Sequence, residues 1–97
     1  MKLISLNIWG GRAHDPLMEF VKESSRDTDI FCFQEVFSSP SDVRVSRGAH
    51  VNILSDLVGA LGGYQLFFGP EQDGFDIVGP VDFEITVGLA IFVRPPL

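Results

Sequence analysis

Two short apolar runs separated by one amphipathic segment constrain this chain more than any other feature. Residues 2–9 (Lys-Leu-Ile-Ser-Leu-Asn-Ile-Trp) and residues 29–36 (Asp-Ile-Phe-Cys-Phe-Gln-Glu-Val) both have strand character. Gly10-Gly11 breaks the first run, and His14-Asp15-Pro16 is a helix start in which Asp15 can cap and Pro16 suits the first helical position. Leu17, Phe20, Val21 and Ser24 then fall at i, i+3, i+4 and i+7, while Glu19, Lys22, Glu23 and Arg26 point elsewhere. The spacing predicts a strand–helix–strand unit. Its connection is long enough for a crossover, so the two strands are expected to run parallel, with the helix lying on the sheet.

Downstream the elements are less regular. Residues 37–48 are rich in Ser, Pro, Asp and Arg and read as a loop. A second helix is expected over residues 49–61, with Val51, Leu54, Val58 and Leu61 on one face and Gly62-Gly63 as its stop. Residues 64–68 read as a short strand, and the Gly-, Pro- and acid-rich residues 69–82 as a surface loop. From Phe83 to Arg94 apolar residues alternate with others at period two, the pattern of a half-buried strand. Four strands and two helices leave one sheet face and at least one edge uncovered, an aggregation liability unless something covers them. A partner chain, or a missing C-terminal segment, is therefore expected, and the Pro95-Pro96 ending favours the second.

Composition narrows the class. The chain has 97 residues, room for one small domain burying only about 60–65% of its unfolded surface. Nine Phe and 45% hydrophobic residues exclude a disordered tail. The net charge of −6 disfavours a dedicated nucleic-acid surface, although a bound divalent cation can reverse the local sign for a phosphate. The single Cys32, within an apolar run, excludes an intrachain disulfide and a thiolate cluster. No apolar run is long enough to span a membrane, and the N-terminus begins directly on a strand pattern, so the expectation is a cytoplasmic protein.

Asn7 and Glu35 carry the chemistry. Both sit near the C-terminal ends of the two expected parallel strands, the end at which α/β folds bind ligands. Asn is depleted in strands, so Asn7 either makes a local turn before Gly10-Gly11 or serves a site. Glu35, at the end of a strongly apolar strand, is either a solvated carboxylate or a ligand. Together they supply hard oxygen donors of the kind Mg²⁺ takes, one or two protein groups with the rest left to water and phosphate.

The run Leu-Asn-Ile-Trp-Gly-Gly, the later Asp-Ile-Phe-Cys-Phe-Gln-Glu-Val and the strand Val87-Gly88-Leu89-Ala90-Ile91-Phe92-Val93-Arg94 resemble, in this order, the opening motifs of the endonuclease/exonuclease/phosphatase superfamily. The resemblance implies an α/β (α+β) fold, the N-terminal part of a DNase I-like two-sheet β-sandwich with outer helices, so that residues 1–97 form a partial domain. It implies that Glu35 is the principal ligand of Mg²⁺ (or Mn²⁺), that Asn7 helps hold the metal or its water, and that Gln34 is a neighbour of that site. The reaction implied is hydrolysis of a phosphoester by water, with nucleic acid, inositol phosphate or a lipid headgroup as substrate class.

The sequence also departs from that pattern. The superfamily's later Asp-x-Asn and Ser-Asp-His motifs, which supply the base and phosphate-binding groups, do not occur in it. His14 and His50 occupy no matching position and read as surface residues. Arg12, Arg44 and Arg47 read as solvated, Trp9 as rim or core packing, and the acidic residues Glu71, Asp73, Asp76 and Asp82 lack the alternation of a calcium loop. The expectation is an N-terminal fragment of a Mg²⁺-dependent phosphoesterase, inactive as this chain. The alternative is a non-catalytic metal-binding or protein-interaction module completed by a partner chain.

Overall fold

A computed structural model describes residues 1–76 and 78–96. Strand β1 (Leu3–Asn7) leads through a single 3-10 turn (Trp9–Gly11) into helix α1 (His14–Ser24) and strand β2 (Ile30–Ser38). A small hairpin, β3 (Val45–Ser46) and β4 (Ala49–His50), precedes helix α2 (Ile53–Ala60), and two long strands follow, β5 (Gln65–Asp73) and β6 (Thr86–Val93). The main sheet has the order β1-β2-β6-β5. β1 and β2 are parallel, as the crossover requires, and β6 runs antiparallel between β2 and β5.

The core lies on one face of this sheet. Register places Ile4, Phe31, Phe92 and Leu66 in one row and Phe33, Ala90 and Phe68 in the next. Of these, Phe31, Phe33, Ala90 and Phe92 are buried under the helices, against Leu17 and Val21 of α1 and Ile53, Leu57 and Leu61 of the α2 region. Phe33 sits at the centre, its ring 5.4 Å from Phe31 and 6.0 Å from Phe92, centroid to centroid. The opposite face carries the rows Leu3–Ile30–Val93 and Cys32–Ile91–Phe67, and nothing among the described residues packs over it. Leu3 and Phe67 there are 57% and 54% exposed.

Several local expectations change. Asp15 does not cap α1: Ala13 holds the cap position, and Asp15 and Pro16 lie inside the first turn. The buried stripe of α1 is Leu17 and Val21, with Phe20 exposed. The second helix is shorter than its apolar pattern, because Ala49 and His50 pair with Val45 and Ser46 instead, and its buried stripe is Ile53, Leu57 and Leu61 rather than Leu54 and Val58. The hairpin turn is Arg47-Gly48, with φ of 50° and 87°, the primed geometry that two-residue hairpins favour. β2 runs on to Ser38 and β5 to Asp73, both through residues read as loop. Pro70 is tolerated because β5 is an edge strand, where one side of the backbone needs no partner. Among the described residues no helix is long and apolar enough to cross a membrane.

Candidate functional site

The parallel strands β1 and β2 both end beside the Trp9–Gly11 turn. Asn7 is the last residue of β1 and pairs with Gln34. Its Oδ1 accepts the Trp9 N–H at 3.0 Å, an Asx turn that turns the chain out of the sheet. Trp9, Gly10 and Gly11 follow with φ of 50°, 63° and 74°. Gly10 is required here: a Cβ would lie 2.6 Å from the Phe37 ring and 3.0 Å from Ala49 Cβ, so the turn backs directly onto β2 and β4. Asn7 therefore performs the local turn-forming role, and its amide remains exposed. Trp9, 62% exposed, lies at the rim rather than in the core.

Gln34 is a structural neighbour. Its Nε2 donates to Ser5 Oγ at 3.1 Å and to the Cys32 carbonyl at 3.3 Å, linking β1 to β2. Cys32 is half-buried on the uncovered face.

Glu35 is set apart within its strand by its backbone, since the other left-handed non-glycine residues, Trp9 and Arg47, lie in turns. Between Phe33 and Val36, β2 advances one residue more than β6, a β-bulge, and Glu35 sits in it with φ of 57°. A non-glycine residue in the left-handed region costs about 1–2 kcal/mol and persists only where its surroundings fix it. Here pairing to β6 on both sides of the bulge does so. β5 has a bulge of its own between Pro70 and Gln72, which inserts Glu71 at the next step along β6, beyond Gly88. The two inserted carboxylates, with Phe37, Gln72, Asp76 and Val87, line a cavity of about 470 Å³. Asn7 is not among the lining residues: it ends β1, whereas Glu35 lies within β2 and not at its end as expected, so the structure sets the two on neighbouring strands but not in one cavity. Among the described residues the Glu35 side chain has no hydrogen-bond or ion-pair partner, and no three His, Cys, Asp or Glu side chains converge as a metal cluster.

The wall of this cavity is held by a network that the sequence did not disclose. The Asp76 side chain is fully buried and accepts the N–H groups of Val78 (2.8 Å) and Gly79 (3.0 Å), Arg47 Nε at 2.8 Å and Ser46 Oγ at 3.3 Å. Arg47 also donates to the Gly79 and Pro80 carbonyls, and Arg12 donates to the Arg47 carbonyl at 2.7 Å. Read as separate solvated charges, these residues instead clamp the β5–β6 connection onto the β3–β4 turn. Only the Arg-Gly pair hints at this in the sequence, as a turn signal. Asp73, by contrast, accepts a hydrogen bond from Thr86 Oγ1 across the strands.

Burial alone would push the Asp76 carboxyl up, but the two backbone N–H groups and the Arg47 guanidinium more than reverse this and hold it below its ordinary value. A depressed carboxyl stabilises the fold above its unfolded value, near 4, and loses that contribution as pH falls through the folded one. Asp76→Asn should therefore lower unfolding free energy by about 2 kcal/mol at pH 7, with the difference shrinking towards pH 3. Urea titrations of both proteins at the two pH values measure this.

The architecture is a partial DNase I-like fold: a mixed α/β unit with helices on one face of a four-stranded sheet. It is similar to a solved endonuclease/exonuclease/phosphatase from Beutenbergia cavernae, at 20% identity and a TM-score of 0.66, covering 97% of this chain and 26% of that one. It is also similar to an endonuclease/exonuclease/phosphatase family protein from Leptotrichia buccalis, at 16% identity and a TM-score of 0.56, covering 97% of this chain and 37% of that one. The chain thus spans about a quarter to just over a third of the length of these structures. No protein-family model matches the sequence, and no curated protein does.

Proposed function

We propose that this chain forms the N-terminal portion of a Mg²⁺- or Mn²⁺-dependent phosphoester hydrolase, with Glu35 as the protein's ligand to the cation. The observation that carries this reading is the Glu35 bulge. A strained backbone aims an unpaired carboxylate into a cavity, in a fold similar to that of endonuclease/exonuclease/phosphatase proteins. The residues present fit a largely hydrated hard cation, which takes one or two carboxylates and leaves its other positions to water and substrate. Among the described residues they do not form an all-protein cage.

When bound, such a cation stabilises charge developing on a phosphate. The chain's own groups have narrower tasks. Glu35 binds the cation. Asn7, whose exposed amide lies outside the Glu35 cavity, shapes the turn at the end of β1 and would reach the cation only through water, while the Arg47–Asp76 clamp fixes the cavity wall. The Asp-x-Asn and Ser-Asp-His segments are absent from the sequence, so the base that would activate water is too, and the 97-residue chain is inactive in this reading. The substrate class is a phosphoester, and the net charge of −6 favours a small headgroup or inositol phosphate over a long polyanion. A segment absent from this chain completes the site and covers the apolar sheet face.

Mn²⁺ titration followed by paramagnetic broadening of amide signals tests the ligand. Broadening is expected at Glu35, Val36 and Gly88, weakened about 10- to 100-fold in apparent affinity by Glu35→Gln. Unchanged broadening in that variant removes Glu35 as the ligand, and robust Mg²⁺-dependent cleavage of an activated phosphodiester by this chain refutes its inactivity.

The exposed rows at Leu3 and Phe67 favour a second reading, a non-catalytic module completed by a partner chain. A stable dimer in sedimentation equilibrium, together with no Mn²⁺ broadening, selects it.

A further inference from the structure

We propose that His14 and His50 form an acid-sensitive bolt that fastens the β3–β4 hairpin to α1 at neutral pH and releases it on acidification. The rings are stacked with centroids 4.2 Å apart and 28° between planes. His14 is the first residue of α1 and His50 the last of β4, so the stack joins two elements far apart in the sequence. Both nitrogens of His14 face carboxylates: Nδ1 lies 3.0 Å from Asp15 Oδ1 and Nε2 lies 2.8 Å from Asp56 Oδ2. Only the imidazolium carries a proton on each nitrogen, so this geometry calls for a charged His14. His50 has no such partner among the described residues, and it stacks on that cation.

The remaining charges around the pair offset a second proton only in part, because Asp56 and Asp15 draw His50 upward by less than burial and the charge of His14 push it down. Asp15 on α1 and Asp56 on α2 are already engaged with His14. Asp42 and Arg44, from the segment before β3, line the same cavity with opposite signs. Arg47, in the hairpin turn, is committed to Asp76, and Arg12 to the Arg47 carbonyl. Protonating His50 therefore sets two cations face to face.

The directions of titration agree with this geometry. Hydrogen bonds to Asp15 and then Asp56 raise His14. Partial burial, followed by the charge of His14, lowers His50. A raised histidine stabilises the fold below its unfolded value, near 6.5, and ceases to do so as pH rises through the folded one. A lowered histidine does the reverse, stabilising above 6.5 and losing that contribution as pH falls through the folded value. The bolt is tightest between the two midpoints.

Release reaches the cavity because the hairpin holds its wall. Ala49, next to His50, packs on Gly10, and Arg47 in the same hairpin holds Asp76. A displaced hairpin carries Arg47 away from the β5–β6 connection. The inference stands independently of any metal at Glu35.

The chain contains two histidines, so NMR of their ring protons between pH 4.5 and 9 reads the device directly. Two midpoints on opposite sides of 6.5, with the Val78 and Gly79 amide signals moving with the lower one, are expected. His50→Phe keeps a ring in the stack and should abolish that amide shift, and Asp56→Asn should move the upper midpoint down. A common midpoint for both rings overturns the proposal. So do Val78 and Gly79 amides that ignore the lower midpoint, or an acid shift that survives in His50→Phe. If His50→Phe does not fold, an upper midpoint unchanged in Asp56→Asn overturns it.

Discussion

Gly88→Ala is expected to lower the unfolding free energy by about 3 kcal/mol or more, enough to detach β5. Gly88 lies on β6 opposite Pro70, where β5 is about to bulge. A Cβ there would fall against the Gly69 carbonyl and 2.9 Å from Pro70 Cα. These are backbone atoms, so no rotamer change relieves the clash. Gly59, in α2, is the control: its added Cβ meets nothing within 4 Å, and alanine is the better helix former. Urea unfolding of both variants should show a loss at Gly88 and no loss at Gly59. Similar stability for the two would mean that β5 and β6 are not in this register.

Phe33→Ala is expected to cost about 3–5 kcal/mol, a large part of the 5–15 kcal/mol that holds a typical domain. The ring is fully buried at the centre of the core, against Phe31 and Phe92, and truncation leaves a cavity that two neighbouring strands cannot collapse into. Phe67→Ala, on the opposite face, should change stability by no more than about 0.5 kcal/mol. Thermal unfolding at several protein concentrations compares the two. An equal, concentration-dependent loss at Phe67 would show that the uncovered face is buried in solution against a second copy.

This one-sidedness is legible in the sequence. Two parallel strands joined by an amphipathic crossover must have a helix layer, and the count of elements left nothing for the other face. The period-two run from Phe83 to Arg94 likewise identified β6, although Phe83 to Ile85 and Arg94 lie outside the strand. Less was legible in the loops. Residues 69–73 contain Gly, Pro and acidic residues, and local propensity alone rejects them as strand. They pair because β6 offers an edge and an edge strand tolerates such residues. Ala49 and His50 fit a helical pattern, but hairpin pairing with Val45 and Ser46 overrides it.

The candidate site divides the same way. Asn7 and Glu35 stood out because polar residues at apolar strand ends need a reason, and order along the chain put both at one end of the sheet. Sequence thus determined the crossover, the handed layer of helices and the identity of the polar residues at that end, since these follow from periodicity and local propensity. Only the tertiary structure decided that Asn7 spends an oxygen lone pair on its own turn. It likewise decided that two bulges set Glu35 and Glu71 on one cavity, and that Asp76, Arg47, His14 and His50 are partners rather than solvated charges. Those outcomes depend on register between strands far apart in the chain, and no local pattern encodes register.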